Sequence, residues 1–418
     1  MARAGAEIAA GKLDLRKWIR PGDRVMWGQG SAEPLTLIDA LVRQRADLGG
    51  VRVFLTISFS SALQPEYADH LSFEGFGGLG THATLAKKGL IDVYPVHFSQ
   101  FCRDMQSGQF KTDVFFVQLS RSAEDGSFTF GVDHAFTADA IRHARVVIGE
   151  INEAAPVIRG QGGVHLQDLD AVVRSNVPMS EMPLANPDEL DRAIAGHVLP
   201  YIEDRATIQV GIGAVPSAIF DGLRGHKDLG VHTGMLSDPL LDLMNAGVIT
   251  NAHKPIDAGF SVCCALYGTR RLYEGAEKSR AVSLRPAVYT HDAATMAKLD
   301  RFITVNSAIE VDLSGQVNAE YVGRYVGGVG GQVDFVRGAR AAKRGRSIIA
   351  LRSRTASGKS RIVSALAGGV VTTARSDVDI IATEWGVAEL AGKTLKQRAK
   401  ALIAIADPQD REALQRSL

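Results

Sequence analysis

Four short stretches of this 418-residue chain combine residue types that do chemistry. The first, DLGVHTGMLSDPLLDLMNAG from Asp228 to Gly247, sets His232, Ser237 and Asp238 between two apolar segments. An imidazole and a carboxylate so placed are candidate general bases. Asp238-Pro239 reads equally well as the N-cap and first residue of a helix, and His232 as a satisfied semi-buried histidine. The second stretch, VGIGAVPSAIF, ends an apolar run in Gly211 and Gly213 and then enters a helical pattern through Ala214 and Val215. Backbone N–H groups at such a turn can face an anion or a developing oxyanion. The third, YVGRYVGGVGGQVDFVRGA, holds Gly323, Gly327, Gly328, Gly330 and Gly331, followed by Gln332 and Asp334. Each glycine costs conformational entropy on folding, so this density points to close backbone approach or left-handed conformations. The fourth, RSRTASGKSRIVSAL, carries Arg352, Arg354, Lys359 and Arg361 around a Ser/Gly turn. It is either a solvated loop or a cationic clasp for the phosphates of a nucleotide-like cofactor.

These stretches sit on a recurring pattern of short β-branched runs and amphipathic segments. DRVMWGQG, VRVFLTISF, DVFFVQLS, ARVVIGEI, ATIQVGIG, RFITVNSAIEVD, RSIIAL and VDIIAT read as strands bounded by Gly, Asp or Asn, and PLTLIDALVRQRADLGG reads as a helix. Near-continuous apolar strands of this kind belong to mostly parallel sheets covered on both faces. The stretches Gly22–Leu41 and Arg205–Leu223 echo each other: strand, G-x-G, Pro, helix. That echo suggests a duplicated open α/β unit. In the connecting region NPDEL supplies an N-cap, a proline and first-turn acids, which puts a boundary near 185 and two domains at 1–185 and 186–418.

Composition narrows the class. Hydrophobic residues make up 45% and the formal net charge is +1, which suits a full-sized core and gives no concentrated basic surface for nucleic acid. Cys102, Cys263 and Cys264 form neither a zinc spacing nor a disulfide framework, and the 11 histidines show no metal-binding spacing, so no metal is expected. The N-terminal MARAGAEIAAGKLDLRKWIRPGD lacks the apolar core of a secretory signal, and no run approaches the ~20 apolar residues of a membrane span. The expectation is a soluble, cytoplasmic protein. A dinucleotide site lacks its third glycine, a serine hydrolase its G-x-S-x-G, and a P-loop its first glycine, since position 353 is Ser.

Taken together, IQVGIGAVPSAIF, DLGVHTGMLSD, AGVITNAHKPID, NSAIEVDLSGQVNAE, GGVGGQVDF and ATEWGVAELAGKTLKQRAKALIAIADP resemble the acetyl-CoA hydrolase/transferase family, which includes the class I 4-hydroxybutyrate, butyryl and acetate CoA-transferases. The similarity runs from about Gly22 to the C-terminus and takes in GEINEAAP beside Glu150. The resemblance implies two related open, mostly parallel α/β domains with the active-site cleft between them. It also implies coenzyme A as an acyl-CoA substrate, a small carboxylate acceptor, and a homo-oligomer, typically a dimer. By the same analogy Gly327, Gly328, Gly330, Gly331 and Gln332 approach the CoA thioester, with Gly330 and Gly331 at its oxyanion, and Lys359 contacts phosphate. Gly211, Gly213, Ala214, Val215 and Gly234 would line the acyl site.

One position departs from the pattern. Family transferases read H-[ST]-E-M-[FIL]-[SG]-D, and their glutamate attacks the thioester to form an acyl-glutamyl anhydride and then a glutamyl-CoA thioester. This chain reads HTGMLSD, and Gly234 cannot be a nucleophile. The glycine is expected to open space beside the acyl group. Three accounts follow: CoA transfer by direct attack of the acceptor on bound acyl-CoA; hydrolysis of a thioester, or of a C–C bond in a β-keto or cyclic acyl-CoA, with His232 or Asp238 as base; and binding of acyl-CoA without catalysis.

Overall fold

The computed structural model describes residues 5–122, 126–158 and 162–418, so the first four residues of the N-terminal stretch read above lie outside it. Two compact units make up the chain. One comprises Met1–Pro183, Cys263–Tyr289 and Arg324–Gly328; the other comprises Leu184–Val262, Thr290–Gly323 and Val329–Leu418. The sequence suggests a single cut near 185. In the structure two later segments return to the first unit, and the glycine-rich stretch is divided after Gly323 and again after Gly328.

The first unit is built on an eight-stranded sheet: β1 (Ala6–Glu7), β2 (Arg24–Trp27), β3 (Val51–Leu55), β4 (Leu71–Gly75), β5 (Ile91–Val93), β6 (Val114–Leu119), β7 (Val146–Asn152) and β8 (Ala171–Ser175). The spatial order is β1-β8-β7-β6-β2-β3-β4-β5, and every pairing is parallel. Successive residues of a strand point to opposite faces. Val25, Val53, Val114 and Phe116 accordingly enter one apolar cluster with Trp27, Leu37 and Leu41. Met26, Phe54, Phe115 and Val117 enter another with Phe76, Phe101 and Phe136. Helix α1 (Leu35–Gln44) covers the first face, and α2 (Phe98–Gln106) and α3 (Thr137–His143) cover the second. Cys102 and Cys264 are small buried members of the second cluster.

The second unit carries a six-stranded sheet: β9 (Thr207–Val210), β10 (Gly230–Val231), β11 (Phe302–Ser307), β12 (Arg346–Ala350), β13 (Ile380–Thr383) and β14 (Gly386–Glu389). Its order is β10-β9-β11-β12-β13-β14, parallel except for the antiparallel edge strand β14. The helices used below are α4 (Glu189–Val198), α5 (Ala214–Gly222), α6 (Asp238–Asn245) and α7 (Gln332–Ala341). The start of α4 differs from the sequence reading. Its cap is Asp188, whose carboxylate accepts from Leu190 N and Asp191 N in a reciprocal capping box with Asp191. Asn186 and Pro187 precede it.

Both sheets reverse their strand order once. In the first unit the chain steps outward from β2 through β3 to β5, then resumes on the other side of β2 with β6. In the second it leaves β9 for β10 and resumes on the other side with β11. Open α/β sheets bind ligands beyond the carboxyl ends of the strands at such reversals, where the connections diverge and leave a crevice. The two G-x-G turns, at Gly28–Gly30 and Gly211–Gly213, follow β2 and β9. Each lies at the reversal of its own sheet.

Candidate functional site

In the first unit the turn after β2 is held by buried polar contacts. Gln29 N and Nε2 both donate to the Asp133 carboxyl at 3.2 Å. Gln118, on the neighbouring β6, donates to Ser31 O at 3.1 Å, and Ser31 Oγ lies 2.5 Å from Tyr273 Oη. Glu33 accepts from Ser58 Oγ at 2.9 Å. Burial pushes both acids up to about 7, against the hydrogen bonds that oppose it. The sequence reading passed over both, because a single acid in GQGSAEP or GVDHAF shows nothing of its burial.

The same unit explains one glycine of the rich stretch, Gly328, together with Gly77. A Cβ on Gly328 would lie 2.2 Å from Phe76 O, and one on Gly77 would lie 2.3 Å from Gly327 O. The backbone 76–77 and the backbone 327–328 therefore run in direct contact. Gly328 and Gly77 are required by that packing whatever else the stretch does.

In the second unit, β9 is followed by Gly211, whose N–H donates to Val305 O of β11 at 3.0 Å. Gly213, at φ 120°, precedes α5 with no side chain capping its N-terminus. The first-turn amides of the helix that begins Ala214-Val215 thus receive no capping side-chain acceptor from that residue.

Immediately after β10, His232 donates from Nε2 to Thr290 O at 2.9 Å, and its ring is fully buried. Burial, with a smaller contribution from Lys254, lowers its pKa to about 4, so the ring is neutral at pH 7. Thr233 N donates to Val262 O, and Thr233 Oγ1 donates to Met235 O. The chain thus passes through Gly234 held on both sides. Helix α6 then starts at Asp238, with Ser237 in the N-cap position and Pro239 just inside, one residue earlier than the sequence suggests. Asp238 is fully buried.

Beside Gly234 lies a residue that the sequence reading did not single out. A Cβ on Gly234 would sit 3.0 Å from Nε2 and 3.1 Å from Cε1 of His291. A Cβ on Gly331 would sit 2.6 Å from both Nε2 and Cδ2 of the same ring. An imidazole thus stands against Gly234. His291 is buried, its Nδ1 lies 2.9 Å from Thr290 Oγ1, and its ring packs on Phe335 at 4.6 Å between centroids. Burial lowers its pKa to about 3, with a smaller push from His232. Nothing in LRPAVYTHDAATM marks this histidine; only the fold brings it to the two glycines.

The remaining site residues separate. Gly331 caps α7, whose first residue Gln332 donates to Thr373 Oγ1 at 3.2 Å, and Gly330 has φ 56°. His232, Gly234, Gly331 and Thr290-His291 therefore gather in one place. Lys359 lies on an exposed turn closed by Thr355 N donating to Lys359 O at 2.8 Å. Two arginines of the expected cationic clasp are held by acids of this unit, Arg352 by Asp188 and Asp191 and Arg354 by Asp410, with the Gln409 amide oxygen also accepting from Arg354. Among the described residues no group of three or more His, Cys, Asp or Glu could hold a metal ion, and no helix is long and apolar enough to cross a membrane.

Comparison with known proteins decides the family. Residues 12–183 match the acetyl-CoA hydrolase/transferase N-terminal domain, and residues 268–418 match the C-terminal domain. The chain belongs to the acetyl-CoA hydrolase/transferase family. It is 35% identical over 400 residues to the 4-hydroxybutyrate coenzyme A transferase of Clostridium kluyveri, covering 94% of this chain and 92% of that one. It is 27% identical to an acetyl-CoA hydrolase of Saccharomyces cerevisiae, over 79% of this chain and 71% of that one. Among solved structures, RipA from Yersinia pestis superposes with a TM-score of 0.91 at 30% identity, over 99% of this chain and 96% of the other. The protein is thus an enzyme of the CoA-transferase and acyl-CoA hydrolase family, with the mostly parallel α/β architecture expected of it.

Proposed function

We propose that this enzyme is a CoA-transferase that works without a covalent glutamyl intermediate: a carboxylate acceptor attacks the carbonyl of a bound acyl-CoA directly. One observation carries the reading. The position from which the family's nucleophile is expected is a glycine, and a neutral imidazole stands against it, so residue 234 offers no carboxylate. The acceptor oxygen forms a bond to the thioester carbonyl carbon and the C–S bond breaks, giving a mixed anhydride and CoA thiolate. The thiolate then attacks the acceptor's carbonyl carbon, which yields the new thioester and the free donor acid. No proton need be removed from the attacking group. That favours a carboxylate over water, because His232 and His291 are both weakened as bases by burial.

The other residues take matching parts in this reading. Gly330, Gly331 and Gln332, at the start of α7, present backbone amides to the developing oxyanion. Gly211, Gly213, Ala214 and Val215 border the acyl group at the strand-order reversal of their sheet. Lys359, on its exposed turn, contacts a phosphate of CoA.

Single-turnover incubation with a panel of acyl-CoAs, with and without short carboxylates, tests the proposal by following each CoA species by mass. New acyl-CoA that appears only with an acceptor supports it. Free CoA formed at the same rate without any acceptor makes the enzyme a hydrolase. A shortened or ring-opened acyl-CoA assigns C–C cleavage, and no change in any acyl-CoA that binds leaves a binding protein.

A further inference from the structure

We propose that Lys254, together with Asn251, is a positioning residue for acyl transfer: its buried ammonium fixes the carboxyl end of β10, the edge strand from which His232 and Gly234 emerge. The inference rests on the function proposed above and adds two residues that act through the backbone of the site rather than on the substrate.

Three observations support it. First, β10 lies at the edge of its sheet, so a strand pairs with only one side of it. Gly230 N and His232 N donate to that side, to Ala206 O and Ile208 O. The outward groups are met by the returning chain, residues 248–262. Leu229 O accepts from Thr250 N and Asn251 N, and Thr233 N donates to Val262 O. Between these backbone contacts, at Val231, side chains take over. Val231 N donates to Asn251 Oδ1 at 2.8 Å, while Lys254 Nζ donates to Val231 O at 2.8 Å and to Phe260 O at 2.7 Å. An amide and an ammonium thus stand in for a neighbouring strand, one residue before His232. Second, both side chains are buried and each is tied at two points. A Cβ on Gly230 would lie 2.6 Å from Lys254 Cγ and 2.9 Å from Cδ, so the lysine stem crosses Gly230 while its tip holds the next carbonyl. Asn251 has a left-handed backbone, φ 57°, which asparagine tolerates, and its Nδ2 donates to Ser261 Oγ at 2.9 Å. Third, a strand that served only as scaffold could leave its outer groups to water. Here the outer groups of Val231 are buried and a charge is buried with them, at a cost in desolvation, at the residue next to His232.

The consequence is mechanical. A bond from an ammonium to a carbonyl is charge-assisted and stronger than a neutral one. Val231 cannot move outward without breaking it, and the chain from His232 to Gly234 starts from that point. In the proposed transfer the acceptor oxygen must be aligned with the thioester carbonyl, and a displacement of about 1 Å in the surrounding residues can lower the rate by about 10²-fold. Lys254 and Asn251 spend their polar atoms on backbone and on Ser261, so binding of CoA should not depend on them.

The test compares Lys254→Met, which keeps the stem and loses the ammonium, with the unaltered full-length enzyme and with Leu402→Ala, a buried core change elsewhere in the same unit. For each, kcat and KM for acyl-CoA and the unfolding temperature are read. Lys254→Met should lose about 10–100-fold in kcat with KM within about threefold. Leu402→Ala should keep its kcat, although its unfolding temperature also falls. A kcat for Lys254→Met within about threefold of wild type overturns the inference, as does an equal loss of kcat in Leu402→Ala. Should Lys254→Met fail to fold, Asn251 supplies a second pair. Asn251→Gly keeps the left-handed backbone and removes the acceptor of Val231 N, whereas Asn251→Asp keeps an acceptor oxygen. A loss of kcat in the first that the second does not share supports the role, and equal kcat in the two overturns it. If the unaltered enzyme turns over no acyl-CoA, the proposed function fails first and this role with it. An active wild type with an indifferent Lys254→Met removes this role alone.

Discussion

The contact between His291 and the two glycines gives a stability prediction that can be worked from distances. An alanine at 331 places its Cβ 2.6 Å from two atoms of the ring, and an alanine at 234 places it 3.0–3.1 Å away. Ordinary contact begins near 3.4 Å. The ring must therefore move by about 0.8 Å in the first case and about 0.4 Å in the second, unless the backbone yields. It is not free to do so, being held by Thr290 Oγ1 and backed by Phe335. Overpacking of a well-filled site costs about 1–3 kcal/mol. Gly331→Ala should fall in the upper half of that range and Gly234→Ala in the lower half. Replacing His291 by alanine is itself destabilising, by about 2–4 kcal/mol for a buried ring of this size. In that background, however, the added methyl groups meet empty space. The double variants should thus be more stable than the sum of the single effects, with coupling of about 1–2 kcal/mol. The assay is urea unfolding with linear extrapolation, followed by the transition of the unit that contains the site. Additivity within about 0.5 kcal/mol would show that the ring does not fill this space and would refute the reasoning.

Other outcomes follow from single contacts. Asp133 has a folded pKa raised to about 7 by burial, so its contribution to stability is fully present below pH 4 and is lost as pH rises through 7. Asp133→Asn should therefore flatten the dependence of unfolding free energy on pH across that window, and an unchanged slope in urea melts would contradict the assignment. Gly77→Ala meets Gly327 O at 2.3 Å and also has φ 106°, whereas Gly323→Ala has φ 68° and open space. The first should cost at least 2 kcal/mol more than the second, an estimate resting on backbone overpacking of about that size, and equal melting temperatures would count against the backbone contact. Arg354→Ala removes the partner of Asp410 and should lower stability slightly, with KM for acyl-CoA unchanged. Lys359→Ala should do the reverse, raising KM in a salt-dependent way with stability unchanged; the same KM effect from both would dissolve the distinction.

The central strands could be read directly from the sequence, because VMW, VFL, VFFVQL and IIA are short runs that are apolar on both faces. The edge strands could not. LSFEG and IDV, toward the β5 edge, alternate apolar and polar residues, but over only 5 and 3 residues, too short a run to stand out from a loop. The glycine-rich stretch was recognisable as unusual, yet the cause for Gly328 lies in Phe76, some 250 residues earlier and invisible to any local pattern. Arg352 and Arg354 looked like a cationic clasp because charge is local information, while Asp191 and Asp410, which engage them, are brought by distant helices. Gly234 was conspicuous only against a family pattern. His291 follows a threonine in an ordinary segment, and its importance arises from three-dimensional placement alone.

The measurement that tests the central claim most directly is the intact mass of the enzyme, quenched in acid during steady turnover with an acyl-CoA and a carboxylate acceptor. Direct attack predicts an unmodified chain at every time point while acyl-CoA is consumed, together with initial-rate lines that intersect as the two substrates are varied. A chain carrying an acyl or CoA adduct on a carboxylate, formed and lost at the rate of turnover, would contradict it and would place the nucleophile at a residue other than Gly234.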